Sequence, residues 1–194
     1  MSRFPNASSK GRRRPFGWAG FALLVTLAAT AVQAAPGRDP SQYFFNQSFG
    51  DLKEEAHTAK QEGKTGVLIM FEEADCPWCH RMKQTVFNQV PVQDYYRKHF
   101  RILTVDTKGN NPLTDFNGKQ TTEKDFAFKE NRVRATPTFI FYGTDGKRLT
   151  RYTGITRNPE EFLWLGEFVV GGHYKDQKFT VYKRKKRAAS QNNS

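Results

Sequence analysis

The chain has 194 residues, with 31 Lys and Arg against 19 Asp and Glu, a formal charge of +12 and 2 Cys. The excess sits at the ends: Arg3, Lys10, Arg12, Arg13 and Arg14 lie near the start and KRKKR occupies 183–187, leaving 21 basic against 19 acidic residues elsewhere. A body at +2 offers no basic face for nucleic acid, and the 148 residues of 35–182 suit one domain with a real core.

Residues 1–34 contain no acid. Arg12, Arg13 and Arg14 precede the apolar run AGFALLVTLAATAV, and Val32-Gln33-Ala34 gives a small-residue exit before Ala35. That is the layout of a secretory signal peptide. The run is shorter than the roughly 20 residues of a membrane-spanning helix; an uncleaved anchor starting near Phe16 is the alternative. Export places the protein in an oxidising compartment, the periplasm. Residues 35–47 read as an extension of the mature chain ahead of a domain at 48–175.

Within that domain, 48–63 reads as a helix, capped by Ser48 with Asp51 three residues on and stopped by Gly63. GVLIMF, 66–71, is a continuous apolar run of strand length, hence a buried strand. CPWC follows and opens a segment with Met82, Val86 and Phe87 at helical spacing. Pro91 ends that helix or begins a turn. FRILTV, 100–105, is a second buried strand, and 106–120 is a loop rich in Gly, Asn and Pro. Thr122 with Asp125 forms a capping box for a helix reaching about Asn131. ATPTFIFY is a strand entered through Pro137, and Asp145-Gly146 turns it into KRLTRYTG. Asn158-Pro159-Glu160-Glu161 starts a final helix over FLWLGEFVV. Two strands joined through helices, followed by a hairpin, predict an α/β mixed sheet with helices on both faces. The tail, 176–194, is poor in apolar residues and is expected to be disordered, free to touch a membrane surface or an acidic partner weakly.

Both cysteines lie in CPWCH, 76–80, which two chemistries use: the Cys-x-x-Cys redox pair and the attachment motif of a c-type haem. Cys76 stands between a buried strand and a helix start, where unpaired backbone N–H groups and the helix dipole stabilise a thiolate below the ~8.5 of free cysteine. Cys79, one turn in, is placed to resolve a mixed disulfide. The haem reading needs a second axial ligand; no Met lies beyond Met82, while His57, His99 and His173 could serve in principle, but the flanking segments read as strand and helix of a mixed sheet rather than a helical haem domain. A structural disulfide across so short a loop removes little entropy. A zinc site needs four ligands and finds two. Thr136-Pro137 is either a plain strand entry or a cis peptide; the residues alone admit both.

The stretches VLIMFEEADCPWCHRM, HFRILTVDT, TPTFIFYGTDGK and YTGITRNPEEFLWL resemble the thioredoxin superfamily, most closely the exported, SoxW-like thioredoxins of bacterial sulfur oxidation. The resemblance implies a thioredoxin fold with a central sheet of four to five strands. It implies Cys76 as attacking and Cys79 as resolving cysteine, a cis Pro137 beside the sulfurs, and a Thr136 backbone that pairs with a substrate strand. It makes Trp78 an apolar contact for the partner. It further implies protein disulfide substrates, a membrane thiol–disulfide electron donor and no cofactor or metal, with reduction as the working direction and oxidase or isomerase activity as the alternative. One departure stands out. The superfamily's buried Asp, six residues before the attacking cysteine, is Met70 here. Glu72, Glu73 or water are the candidates to take its place.

Overall fold

The computed structural model describes residues 37–192. The signal expected over 1–34 lies outside the described residues. No described helix is long and apolar enough to cross a membrane.

Strand β1 (Gly66–Glu72) is buried along nearly its whole length, as a central α/β strand covered on both faces must be. It runs parallel to β2 (Phe100–Asp106) and antiparallel to β5 (Thr138–Gly143). A turn with Gly146 at φ +74° leads from β5 into β6 (Arg148–Thr153). The order β2-β1-β5-β6 makes the mixed four-strand sheet of a thioredoxin fold. A separate two-strand hairpin, β3 (Pro112–Thr114) with β4 (Gln120–Thr122), occupies part of the 106–120 segment expected to be a loop.

Alternation along β1 builds two cores. Leu68 and Met70 face one cluster with Cys76, Cys79, Phe87, Tyr96 and Phe162. Val67, Ile69 and Phe71 face the other, with Leu52, Phe126 and Ile140. The second face is covered by α2 (Leu52–Gln61) and by α5 (Glu123–Asp125) with its π-helical continuation Phe126–Glu130. Asp51, not Ser48, caps α2: its carboxylate accepts the Glu54 N–H at 3.0 Å, while the Ser48 hydroxyl accepts from Gly50 N at 3.1 Å. Gly50, at φ +81°, places a turn between the two, so the helix starts later than expected. Thr122 caps α5 as the spacing predicts, accepting from Asp125 N at 3.2 Å.

The first face carries α3 (Pro77–Met82) with a π-helical turn Lys83–Phe87, α4 (Val90–His99) and α6 (Pro159–Val170). Helix α4 was not anticipated, because Pro91 reads as a stop. Here it sits in the first turn, where its missing N–H leaves nothing unpaired, and Arg97, Lys98 and His99 complement the dipole at the far end. The Tyr96 hydroxyl ties α4 to α6 by donating to the Phe162 carbonyl at 2.6 Å. Asn158 caps α6 as expected, its Oδ1 accepting from Glu161 N at 2.9 Å.

Both ends of the described chain join the core. After α1 (Pro40–Tyr43), Phe44 is 1% exposed and stacks on Phe87 with centroids 4.6 Å apart. Asn46 extends the edge of β2: its N–H donates to Ile102 O at 2.7 Å and its Oδ1 accepts from Ile102 N at 2.8 Å. The extension expected over 35–47 thus includes part of the core. Phe44→Ala is expected to cost about 3–5 kcal/mol, the usual range for a large buried aromatic, read as a lowered urea midpoint at unchanged slope.

At the other end, the tail expected to be disordered forms α7 (Phe179–Asn192). Phe179 and Tyr182 pack on Phe168 of α6, with centroids 5.5 and 5.4 Å away. Lys183 and Arg187 both pair with Glu161 at 2.7 Å, and Lys186 with Glu167 at 2.8 Å. Three of the five charges that looked solvated are thus matched by carboxylates on α6, about twenty residues away in sequence, which give the helix a partner.

Candidate active site

The sequence Glu73-Ala-Asp-Cys76 turns the chain from β1 into α3. Cys76 has extended dihedrals (φ −82°, ψ 104°) and is the N-cap; Pro77 follows in the first turn, where proline is tolerated. The Cys79 N–H donates to Cys76 Sγ at 3.1 Å, so the first sulfur takes the place of the usual capping oxygen. Cys76 and Cys79 form a disulfide with Cα atoms 5.3 Å apart. Cys76 is 6% exposed and Cys79 1%, so the first cysteine is the outer one. Both belong to the cluster that contains Met70 and Met82.

The other expected residues are placed as follows. Trp78 is 52% exposed on the outer side of the turn, with the Arg81 guanidinium 5.9 Å from its ring centroid. The Thr136–Pro137 peptide is cis. Pro137 is buried and immediately precedes Thr138, which pairs with Phe71 at the end of β1 that leads to Cys76. Sheet register therefore brings the cysteine motif and the 136–137 peptide to one end of the sheet. The Pro137 carbonyl accepts from Gly154 N at 2.9 Å. His80, which a haem reading would make an iron ligand, has Nε2 2.9 Å from the Ala74 carbonyl and so ties α3 back to the loop before Cys76.

Neither candidate acid replaces the missing Asp from inside. Met70 fills that position, 1% exposed among apolar groups. Glu72 pairs with Lys83 at 2.7 Å. Glu73 pairs with Lys108 at 2.8 Å and accepts from the Thr107 hydroxyl at 2.9 Å. Those bonds, Lys108 first and Thr107 second, hold the Glu73 carboxyl below the usual carboxylate range. Lys108 also lies 3.6 Å from Asp75. The loop before Cys76 is thus braced by Lys108 and His80. No sequence window could have paired Lys108 with Glu73, since β2 carries it there from thirty-five residues on.

A family model described as a thioredoxin-like domain matches residues 52–169. No curated protein matches the chain. Among solved structures the chain is similar to a thioredoxin-fold protein from Helicobacter pylori, at 24% identity and TM-score 0.52, over 63% of this chain and 84% of that one. It is also similar to a DsbH oxidoreductase, at 16% identity and TM-score 0.51, over 67% of this chain and 88% of that one. Both likenesses concern the fold. With the family model spanning more than half of its length, and a Cys-x-x-Cys pair closed at the end of the first sheet strand, the chain belongs to the thioredoxin-like family.

Proposed function

We propose that the protein is an exported thiol–disulfide oxidoreductase that reduces disulfides of partner proteins in the periplasm, in the manner of the SoxW-like thioredoxins. One observation carries this reading: Cys76 caps a helix with its sulfur, receives the Cys79 N–H and is bonded to Cys79 one turn deeper. In the reduced form the helix end favours the Cys76 thiolate. That thiolate attacks one sulfur of the partner disulfide, forms a mixed disulfide and expels the other sulfur as a thiolate. The Cys79 sulfur, having lost its proton, then attacks Cys76 and releases the reduced partner. Two electrons pass to the partner and the enzyme ends as the disulfide. Exposed Trp78 supports a role as an apolar contact, and the Thr136 backbone one as the rung for a partner strand. A reductase in an oxidising compartment needs recharging, which calls for a membrane thiol–disulfide donor.

The experiment is a trap with a defined substrate. Cys79→Ala, mixed with two peptides joined by one disulfide, is expected to hold one of them on Cys76, with the other expelled as a thiol, as an adduct released by dithiothreitol and located by mass spectrometry. Absence of a Cys76 adduct overturns the reading. Direction is read from the reduction potential: a value nearer ~−270 mV supports reduction, and one nearer ~−120 mV the oxidase alternative.

A further inference from the structure

Four arginines gather where the loop 131–137 meets the free edge of the sheet. Arg148 and Arg151 lie on β6, the outermost strand. Arg132 and Arg134 lie on the loop that runs into Thr136–Pro137. Arg151 crosses between the two segments: its Nη1 donates to Asn131 O at 3.0 Å and to Arg132 O at 3.4 Å. Arg132 (φ +51°), Arg148, Arg151 and Lys129 line a cleft of about 640 Å³. Arg134 stands two residues further along, over the Phe128 ring.

Among the described residues, no carboxylate pairs with Arg132, Arg134, Arg148 or Arg151. Nearby acids are used elsewhere: Asp125 by Lys129 and Asp145 by Lys147. Glu130 also lines the cleft and pairs with none of the four; burial, then the Asp115 charge, raises its pKa. Burial first, and then the like charge of Arg148, lower the Arg151 pKa. In a body near neutrality, such crowding on one edge is a local feature rather than a general surplus.

Guanidinium groups bind carboxylates in a fork and lose little hydration in doing so. Four of them, spread over two adjacent segments, match several carboxylates on an extended chain better than one small anion. The cleft's loop is continuous with the Thr136–Pro137 peptide, beside which the oxidoreductase reading puts the reacting disulfide. We propose that this arginine cleft selects redox partners whose reactive disulfide is flanked by an acidic segment, which lies against β6 while its sulfur meets Cys76. This rests on the oxidoreductase reading above.

The test uses the full chain, reduced with dithiothreitol and desalted. Its exchange rate is measured with three synthetic disulfide peptides of equal cysteine spacing, flanked by glutamates, glutamines or lysines, and with neutral bis(2-hydroxyethyl) disulfide. Each turnover breaks the substrate S–S bond, forms the Cys76–Cys79 bond and moves two electrons and two protons. At low salt the glutamate peptide is expected to react about 10-fold faster than the glutamine peptide, and the lysine peptide slowest, with the advantage shrinking as salt rises. Arg132→Gln/Arg134→Gln/Arg148→Gln is expected to bring the glutamate-to-glutamine ratio close to one; Arg151 is spared because it holds the loop carbonyls. Single Arg134→Gln and Arg148→Gln variants are expected to give intermediate ratios. A ratio near one in the wild type, or an undiminished ratio in the triple variant, overturns the inference. Failure with bis(2-hydroxyethyl) disulfide and every peptide overturns the redox reading itself, whereas ordinary exchange with a flat ratio removes only the acidic preference.

Discussion

Cys76→Ser is expected to abolish disulfide exchange, lowering the rate with bis(2-hydroxyethyl) disulfide at neutral pH by at least roughly 10³-fold, because an un-ionised alcohol cannot replace a thiolate. Cys79→Ser should behave differently. Its first step survives, and the enzyme stalls as a mixed disulfide after about one equivalent. The asymmetry follows from the two positions: Cys76 is the outer sulfur at the cap, and Cys79 lies behind it, almost wholly buried. Stopped-flow traces distinguish a dead variant from a single-turnover one. If the first exchange step were lost, or kept, in both variants alike, the division of labour between the sulfurs would be wrong. Because Glu72 and Glu73 are both engaged by lysines, neither is expected to set the rate of the second step. Replacing either by glutamine should leave resolution within a few-fold of wild type.

The second large effect concerns stability. Lys183→Met/Arg187→Met is expected to cost about 3 kcal/mol, at the lower end for breaking a buried ion pair because both cations remain partly in water. For a domain of this size that lowers the melting temperature by about 6–12 °C. The Glu161 side chain is 4% exposed and loses both ion-pair partners. Burial by itself raises the Glu161 pKa; hydrogen bonds and charge from Lys183 and Arg187 outweigh it, and the net shift is downward from 4.5. A depressed carboxyl pKa stabilises the fold above the unfolded value and stops doing so as pH falls through the folded one. In the double variant only burial remains, the sign reverses, and protonation relieves the penalty. The gap between variant and wild type should therefore narrow on going from pH 7 towards pH 4. Adding Glu161→Gln to the double variant should recover part of the loss at pH 7. A gap independent of pH would show that packing of α7, not charge, holds the helix.

What could be read from the letters alone was whatever is local. CPWC after an apolar run, Thr122 with Asp125, and Asn158-Pro159 all carry their structure within a few residues, and each lies where that reading puts it. Pro91 misled because one residue type both starts and stops helices, and only the tertiary site of α4 decides. Asp51 displaced Ser48 because the two caps differ by a single glycine turn. KRKKR looked solvated because Glu161 and Glu167, which neutralise much of it, lie on another helix. The arginine cleft was invisible for a similar reason: Arg132 and Arg148 are sixteen residues apart and meet through the pairing of β5 with β6. The cysteine site was legible because one turn of helix contains it, and the surface that would choose its partner was not, because two segments far apart in sequence build it.

Phe44 near one end and Phe179 and Tyr182 near the other all close the same apolar cluster. This half of the interior is therefore complete only once segments as far apart in sequence as Phe44 and Tyr182 have come together. High contact order of this kind slows folding. Closing the half of the core that holds the cysteine pair is therefore expected to come late in folding, after the local turns and helices have formed.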